Sequence, residues 1–193
     1  MTLIDLPNAA RPDFAALVFG GHHNNPIESQ EQHMAKLPTY FISHGGGPWP
    51  WVPEMRSAFT HLEASLKAMV SEWETPPKAI LMISGHWESN SVAIMASPQP
   101  PMVYDYYGFP AETYEITYPA PGAPDLAQRS LAPLTEAGIP AHLDHQRGFD
   151  HGTLAPLAVM FPEANVPVFQ ISLLKSYDPA VHIGDGAGTG KTA

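Results

Sequence analysis

Three short stretches carry the side chains best suited to chemistry. Phe41-Ile-Ser-His-Gly-Gly-Gly-Pro48 delivers His44 into three consecutive glycines, Ser84-Gly-His-Trp-Glu88 places His86 after an apolar run, and Asp150-His-Gly-Thr153 holds His151. Imidazole changes protonation near neutral pH and is the commonest transition-metal ligand. The chain has ten histidines and no cysteine, so a transition-metal site must use imidazole with carboxylate or water. Disulfide scaffolds, thiolate zinc sites and cysteine nucleophiles are excluded for the same reason. For each histidine alone, a ring bonded to nearby backbone is the competing reading. Three of them, each beside a glycine, favour a shared metal or acid/base site.

The surrounding pattern supplies the elements that would position them. Residues 37–42 are expected as a first strand, and Pro53 opens a helix with Met55, Phe59, Leu62, Leu66, Met69 and Trp73 on one face, stopped by Pro76-Pro77. The near-continuous apolar run 79–84 predicts a strand buried on both faces. Strand, helix and strand at this spacing form a βαβ unit with parallel strands. Adjacent parallel strands end on one edge, which would bring His44 and His86 close together. Further on, a strand is expected over 91–96, a helix over 125–137 with Gly138 as its stop and a kink at Pro133, and a strand over 139–143. His151 is expected in the loop before an apolar helix over 154–161, and a final strand runs over 166–174. The expected fold class is α/β: a mostly parallel central sheet flanked by helices, in a single domain.

Between these elements, residues 97–124 are rich in proline and tyrosine. Unpatterned loops of this length are usually functional or disordered, and five tyrosines with Phe109 argue for an ordered pocket wall or lid. The whole chain has 22 prolines in 193 residues, about twice the usual share of about 5%, in keeping with long ordered loops.

Charge narrows the partners. A net charge of −10 with nine Lys+Arg leaves no basic stripe for a nucleic-acid backbone. No apolar run approaches the roughly 18 residues of a membrane span, and no secretory leader pattern opens the chain, so a cytoplasmic protein, monomer or homodimer, is expected. Residues 1–36 read as a loosely ordered leader, with His22 and His23 either solvated or touching a metal, and the folded unit is expected to start at Met34. Residues 184–193 suggest a phosphate loop, but Asp185 stands where that pattern needs glycine and no helix follows Lys191-Thr192.

Taken together, Ile42-Ser-His-Gly-Gly-Gly-Pro, Ser84-Gly-His-Trp-Glu, Asp105-Tyr-Tyr-Gly-Phe-Pro, Tyr118-Pro-Ala-Pro-Gly and Phe149-Asp-His-Gly-Thr resemble the class III extradiol ring-cleavage dioxygenases. The 4,5-DOPA dioxygenase branch, similar to the LigB catalytic subunit, is the nearest in pattern, and the resemblance runs in order over residues 37–183. It implies a mostly parallel α/β sheet and a non-haem, metal-dependent enzyme that incorporates dioxygen into a catechol. Fe(II) is the implied cofactor, with Zn(II) possible in the same site. His44 and His86 are implied as metal ligands and His151 as the acid/base residue. Tyr106, Tyr107, Tyr114 and Tyr118 are candidates either for the wall of the aromatic pocket or for the core, and Glu88 for a residue just behind the metal ligands.

The resemblance also implies a further helix, a strand and a third metal ligand beyond Ile183. Residues 184–193 match none of these, so this reading expects a C-terminally truncated domain over 37–183. It therefore sets an inactive scaffold, or a binding protein of the same fold, beside the enzyme. A zinc hydrolase is disfavoured, because neither His-Glu-x-x-His nor Gly-x-Ser-x-Gly occurs.

Overall fold

The computed structural model describes residues 39–73, 76–179 and 182. The expected leader 1–36, the start at Met34 and the tail 184–193 lie outside the described residues. A 3₁₀ turn at Trp49–Trp51 is followed by α1 (Pro53–Ala58), α2 (Thr60–Ser71), β1 (Ile80–Ser89), β2 (Val92–Met95), a second 3₁₀ turn (Ala111–Glu115), α3 (Pro124–Glu136), β3 (Ala141–Asp144), α4 (His151–Met160) and β4 (Val168–Leu174).

The four strands form one mixed sheet in the order β1-β4-β2-β3. β1 runs parallel to β4 and β2 parallel to β3, while β2 and β4 meet antiparallel at Ile94 and Ile171. Helices α2 and α4 pack together, α4 lies on β1, and α3 covers β2 and β3. This is the expected α/β class, with two corrections.

The first concerns the start of the predicted βαβ unit. Residues 39–45 form no strand, and the parallel partner of β1 is β4. Phe41 is 77% exposed, and the segment is held by side chains instead of a ladder. The Tyr40 ring stacks on Trp73 at 6.0 Å, and the Trp73 indole donates to the Tyr40 hydroxyl at 2.8 Å. The second concerns the long helix over 53–73, which is broken at Phe59 into α1 and α2. The Phe59 ring tilts onto Trp49, with centroids 5.4 Å apart.

The main core lies against the sheet, with Ile80, Val92, Ile94, Phe149, Leu154 and Phe169 almost fully enclosed. A second cluster of Trp49, Leu66, Ala155 and Val159 joins the first 3₁₀ turn and α2 to α4. α4 is buried over most of its surface, as expected of a helix that is apolar all round. Two polar residues of β4 are buried yet satisfied: Gln170 receives the Thr153 hydroxyl at 2.5 Å and donates to Gly148 O at 2.8 Å, while Ser172 Oγ accepts from Ala93 N at 3.0 Å.

The passage 97–124 is ordered by backbone pairing. Phe149 N donates to Pro101 O and Val103 N to Phe149 O, both at 2.8 Å, and Val168 N donates to Pro121 O at 2.8 Å. These bonds run residues 101–103 alongside Phe149, so Asp105 arrives next to His151.

Candidate active site

β1 is regular only as far as Ile83. Its pairs Ile83↔Ile171 and Glu88↔Leu173 leave Ser84, Gly85, His86 and Trp87 opposite the single residue Ser172. Such a bulge re-aims side chains, and bulges are frequent beside active sites. It leaves His86 exposed and Trp87 buried. Sequence pattern places His86 after the strand's end, whereas β1 continues to Ser89 around this irregularity.

His151 is the first residue of α4, not part of a preceding loop. Asp150 makes the difference, because its side chain caps the helix by accepting from Thr153 N at 3.1 Å. The same carboxylate is fully buried and accepts from Ser84 Oγ at 2.8 Å and from Arg147 Nη2 at 2.5 Å. The Arg147 guanidinium in turn lies 5.0 Å from the centre of the Trp87 ring. Gly152 lets α4 approach β1, for a Cβ there would fall 2.7 Å from Ser84 Oγ and 2.9 Å from His86 Cδ2. The His86 and His151 rings consequently sit 4.0 Å apart, centre to centre.

His44 reaches the same place from a loop. Its carbonyl accepts from the buried Trp49 indole at 2.7 Å. The chain then turns through Gly45 at φ +73°, where a Cβ would strike the Trp49 ring at 2.5 Å. The proximity of His44 and His86 expected from paired strands is thus achieved without the pairing: their Nε2 atoms are 3.1 Å apart.

The ligand nitrogens of His44, His86 and His151 all lie within 4.8 Å of one another. Two nitrogens bound to one transition ion at about 2.1 Å stand roughly 3 Å apart, which matches the His44–His86 spacing. Burial, followed by the neighbouring His86 and His151, lowers the pKa of His44, favouring the neutral ring that a metal requires. Its Nδ1 is buried and makes no hydrogen bond. These residues fit a metal ion.

Asp105 stands behind two of the three rings. Its Oδ1 accepts from His151 N at 2.9 Å, and its Oδ2 lies 2.9 Å from His151 Nδ1 and 3.5 Å from His86 Nδ1. Burial raises the Asp105 pKa, but the hydrogen bonds and charge of His151 outweigh it and the net shift is downward. Sequence reasoning assigns Asp105 no role. The available signal was an ionisable residue opening an otherwise aromatic motif.

The tyrosines separate. Tyr106 meets His151 edge-on at 6.1 Å and donates its hydroxyl to Thr113 O at 2.5 Å. Burial is the main cause pushing its pKa up to about 12, so it is a neutral phenol. Tyr114 packs on Tyr106 at 5.3 Å. Tyr107 is 92% exposed. Tyr118 is a core residue, the other of the two readings its sequence context allows: its hydroxyl donates to Leu157 O and Phe161 O, and its ring meets Phe149 edge-on. Glu88 accepts from the Tyr177 hydroxyl.

The chain is similar in sequence to known proteins. A family model described as the catalytic LigB subunit of aromatic ring-opening dioxygenase matches residues 38–183. The chain is 41% identical over 158 residues to the 4,5-DOPA dioxygenase extradiol of Escherichia coli (strain K12), covering 78% of this chain and 53% of that protein. It is 38% identical over 145 residues to the 4,5-DOPA dioxygenase extradiol of Beta vulgaris, covering 75% and 53%. With the dioxygenase tasH of Hapsidospora irregularis it shares 37% over 158 residues, covering 79% and 49%. The chain thus spans about half the length of these curated relatives. With its three motif histidines converging in space and the family model matching most of its length, the chain belongs to the family of the catalytic LigB subunit of aromatic ring-opening dioxygenases.

Proposed function

We propose that this chain carries the centre of a metal-dependent extradiol dioxygenase that opens a catechol ring with dioxygen, the catechol resembling DOPA. The observation that carries the reading is the convergence of His44, His86 and His151 to within 4.8 Å. His44 and His86 would hold the ion through Nε2. Fe(II), when bound, supplies the redox chemistry that joins a catecholate to dioxygen; Zn(II) fits the same nitrogens but carries no redox chemistry.

His151 acts as the acid/base residue. It stands beside the two ligands, takes a proton from a catechol hydroxyl and returns one as the ring opens. Asp105 holds its ring at Nδ1, leaving Nε2 for the proton transfer. Tyr106, edge-on to His151 and backed by Tyr114, forms the aromatic wall. Burial of His151 limits competing water.

The test is anaerobic loading with Fe(II), then a catechol and oxygen, following the yellow ring-opened product. His44→Ala should lose stoichiometric metal. His151→Gln should keep it and open the ring at least about 100-fold more slowly. Stoichiometric iron in the unaltered chain without any ring-opened product would overturn the enzyme in favour of an inactive scaffold of the same fold.

A further inference from the structure

We infer that Asp105 is a positioning residue that holds His151 as its Nδ1–H tautomer through one carboxylate, leaving the Nε2 lone pair of His151 free on the side of the ring away from the carboxylate. The inference rests on the reading of these histidines as a metal and proton-handling centre, but not on which ring is opened.

The geometry divides the work between the two carboxylate oxygens. Oδ1 accepts the backbone N–H of His151 at 2.9 Å, one of the donors that the first turn of a helix leaves without an internal partner. That bond fixes the plane of the carboxylate and leaves Oδ2 pointing at the rings, 2.9 Å from His151 Nδ1 and 3.5 Å from His86 Nδ1. An ionised carboxylate can only accept, so a ring nitrogen bonded to it must carry the hydrogen. The opposite nitrogen of the same neutral ring then keeps its lone pair. Oδ2 therefore orients the His151 ring, while His86 Nδ1 at 3.5 Å is an electrostatic neighbour without a hydrogen bond to it. His44 stands outside this control, with its Nδ1 buried and unbonded.

Asparagine separates this role from simple support of α4. In Asp105→Asn the remaining carbonyl oxygen can still accept from His151 N, so the helix start is kept. An amide NH₂ now replaces Oδ2, and as a donor it demands the opposite tautomer of His151, with hydrogen on Nε2 and no lone pair there to take a proton. A residue that merely supported the helix would leave the tautomer alone.

The experiment uses the full chain, labelled with ¹⁵N-histidine and free of metal, at about pH 8, above the ordinary histidine range. NMR of the unaltered protein should find Nδ1–H with unprotonated Nε2 at His151. Asp105→Asn should move His151 to Nε2–H, with the thermal midpoint and Co(II) binding, followed by its visible absorption, little changed. Finding Nε2–H at His151 in the unaltered protein would overturn the inference, as would an unchanged tautomer in Asp105→Asn. If Asp105→Asn does not fold, the spectrum of the unaltered protein decides alone. These readouts need no ring opening, so an inactive protein with the expected tautomers would refute the dioxygenase reading and leave Asp105 in its role.

Discussion

His44 and His151 face each other with ring centres 5.1 Å apart, yet they are held in very different ways. His151 begins a buried helix whose cap, Asp150, is tied to Ser84 on β1 and to Arg147, while the next residue, Gly152, lies hard against β1. The side chains around it form a closed network in which removal of one member leaves several polar atoms without partners. His44 lies on a segment with no strand pairing. It is held by one indole hydrogen bond and by glycine turns that fold around Trp49. One side of the cluster is packed framework and the other is a tethered loop, so on the proposed roles the ligand His44 would adjust while His151 stays fixed.

The largest effect should come from breaking the packed side. Asp150→Ala removes the cap of α4, strands the Ser84 hydroxyl and leaves Arg147, only 15% exposed, without its carboxylate. Removing one partner of a buried ion pair costs about 3–5 kcal/mol, which calorimetry should read as a fall in Tm of about 6–20 °C. A change within 2 °C would show that the network does not support the fold.

The tethered side should fail differently. Trp49→Phe deletes the indole N–H that His44 O accepts and keeps most of the buried ring. The lost bond is worth about 1–2 kcal/mol, so melting should change modestly. Zn(II) affinity, measured by competition with a chromogenic chelator, should fall about tenfold or more as His44 loses its anchor. Equal affinity in the two proteins would mean that His44 is placed by something other than Trp49.

The smallest effect concerns acid. Hydrogen bonds from Arg56 and Lys67 hold the Glu63 carboxyl down to about 2, below its ordinary 4.5, and the Arg56 pair ties α1 to α2 on the His44 side. Because the folded value lies below the ordinary one, this contribution is complete above about pH 4.5 and disappears as pH falls toward 2. The Arg56 and Lys67 side chains are 52% and 58% exposed, so Glu63→Gln should cost at most about 1 kcal/mol at neutral pH. Urea titrations at several pH values should find that cost shrinking below pH 4.5; a constant cost would assign it to packing.

Much of this division was legible beforehand. The apolar runs that became β1 and β4 and the amphipathic face of α2 follow from burial and period, and each motif histidine stood out by its glycine neighbours. The strand expected over 37–42 is absent from its described residues, 39–42, because an apolar stretch is equally well satisfied by stacking Tyr40 on Trp73 while Phe41 faces solvent. The start of α4 was misplaced because Asp150 and Thr153 were read as loop, although Asp-x-x-Thr is itself a capping pattern. Tyr118 and Tyr106 belong to one aromatic passage, and only packing separates a core phenol from one that meets His151.

By itself the sequence determined the α/β class, the family and the identity of the three converging histidines, because apolar periodicity and short motifs are local properties of the chain. The tertiary structure alone decided that Asp105, 46 residues before His151, places one oxygen between two rings. It also decided that β1 bulges to turn His86 toward His44. Those facts depend on how segments distant in sequence pack and pair, and local residue patterns carry no record of the angles and distances that result.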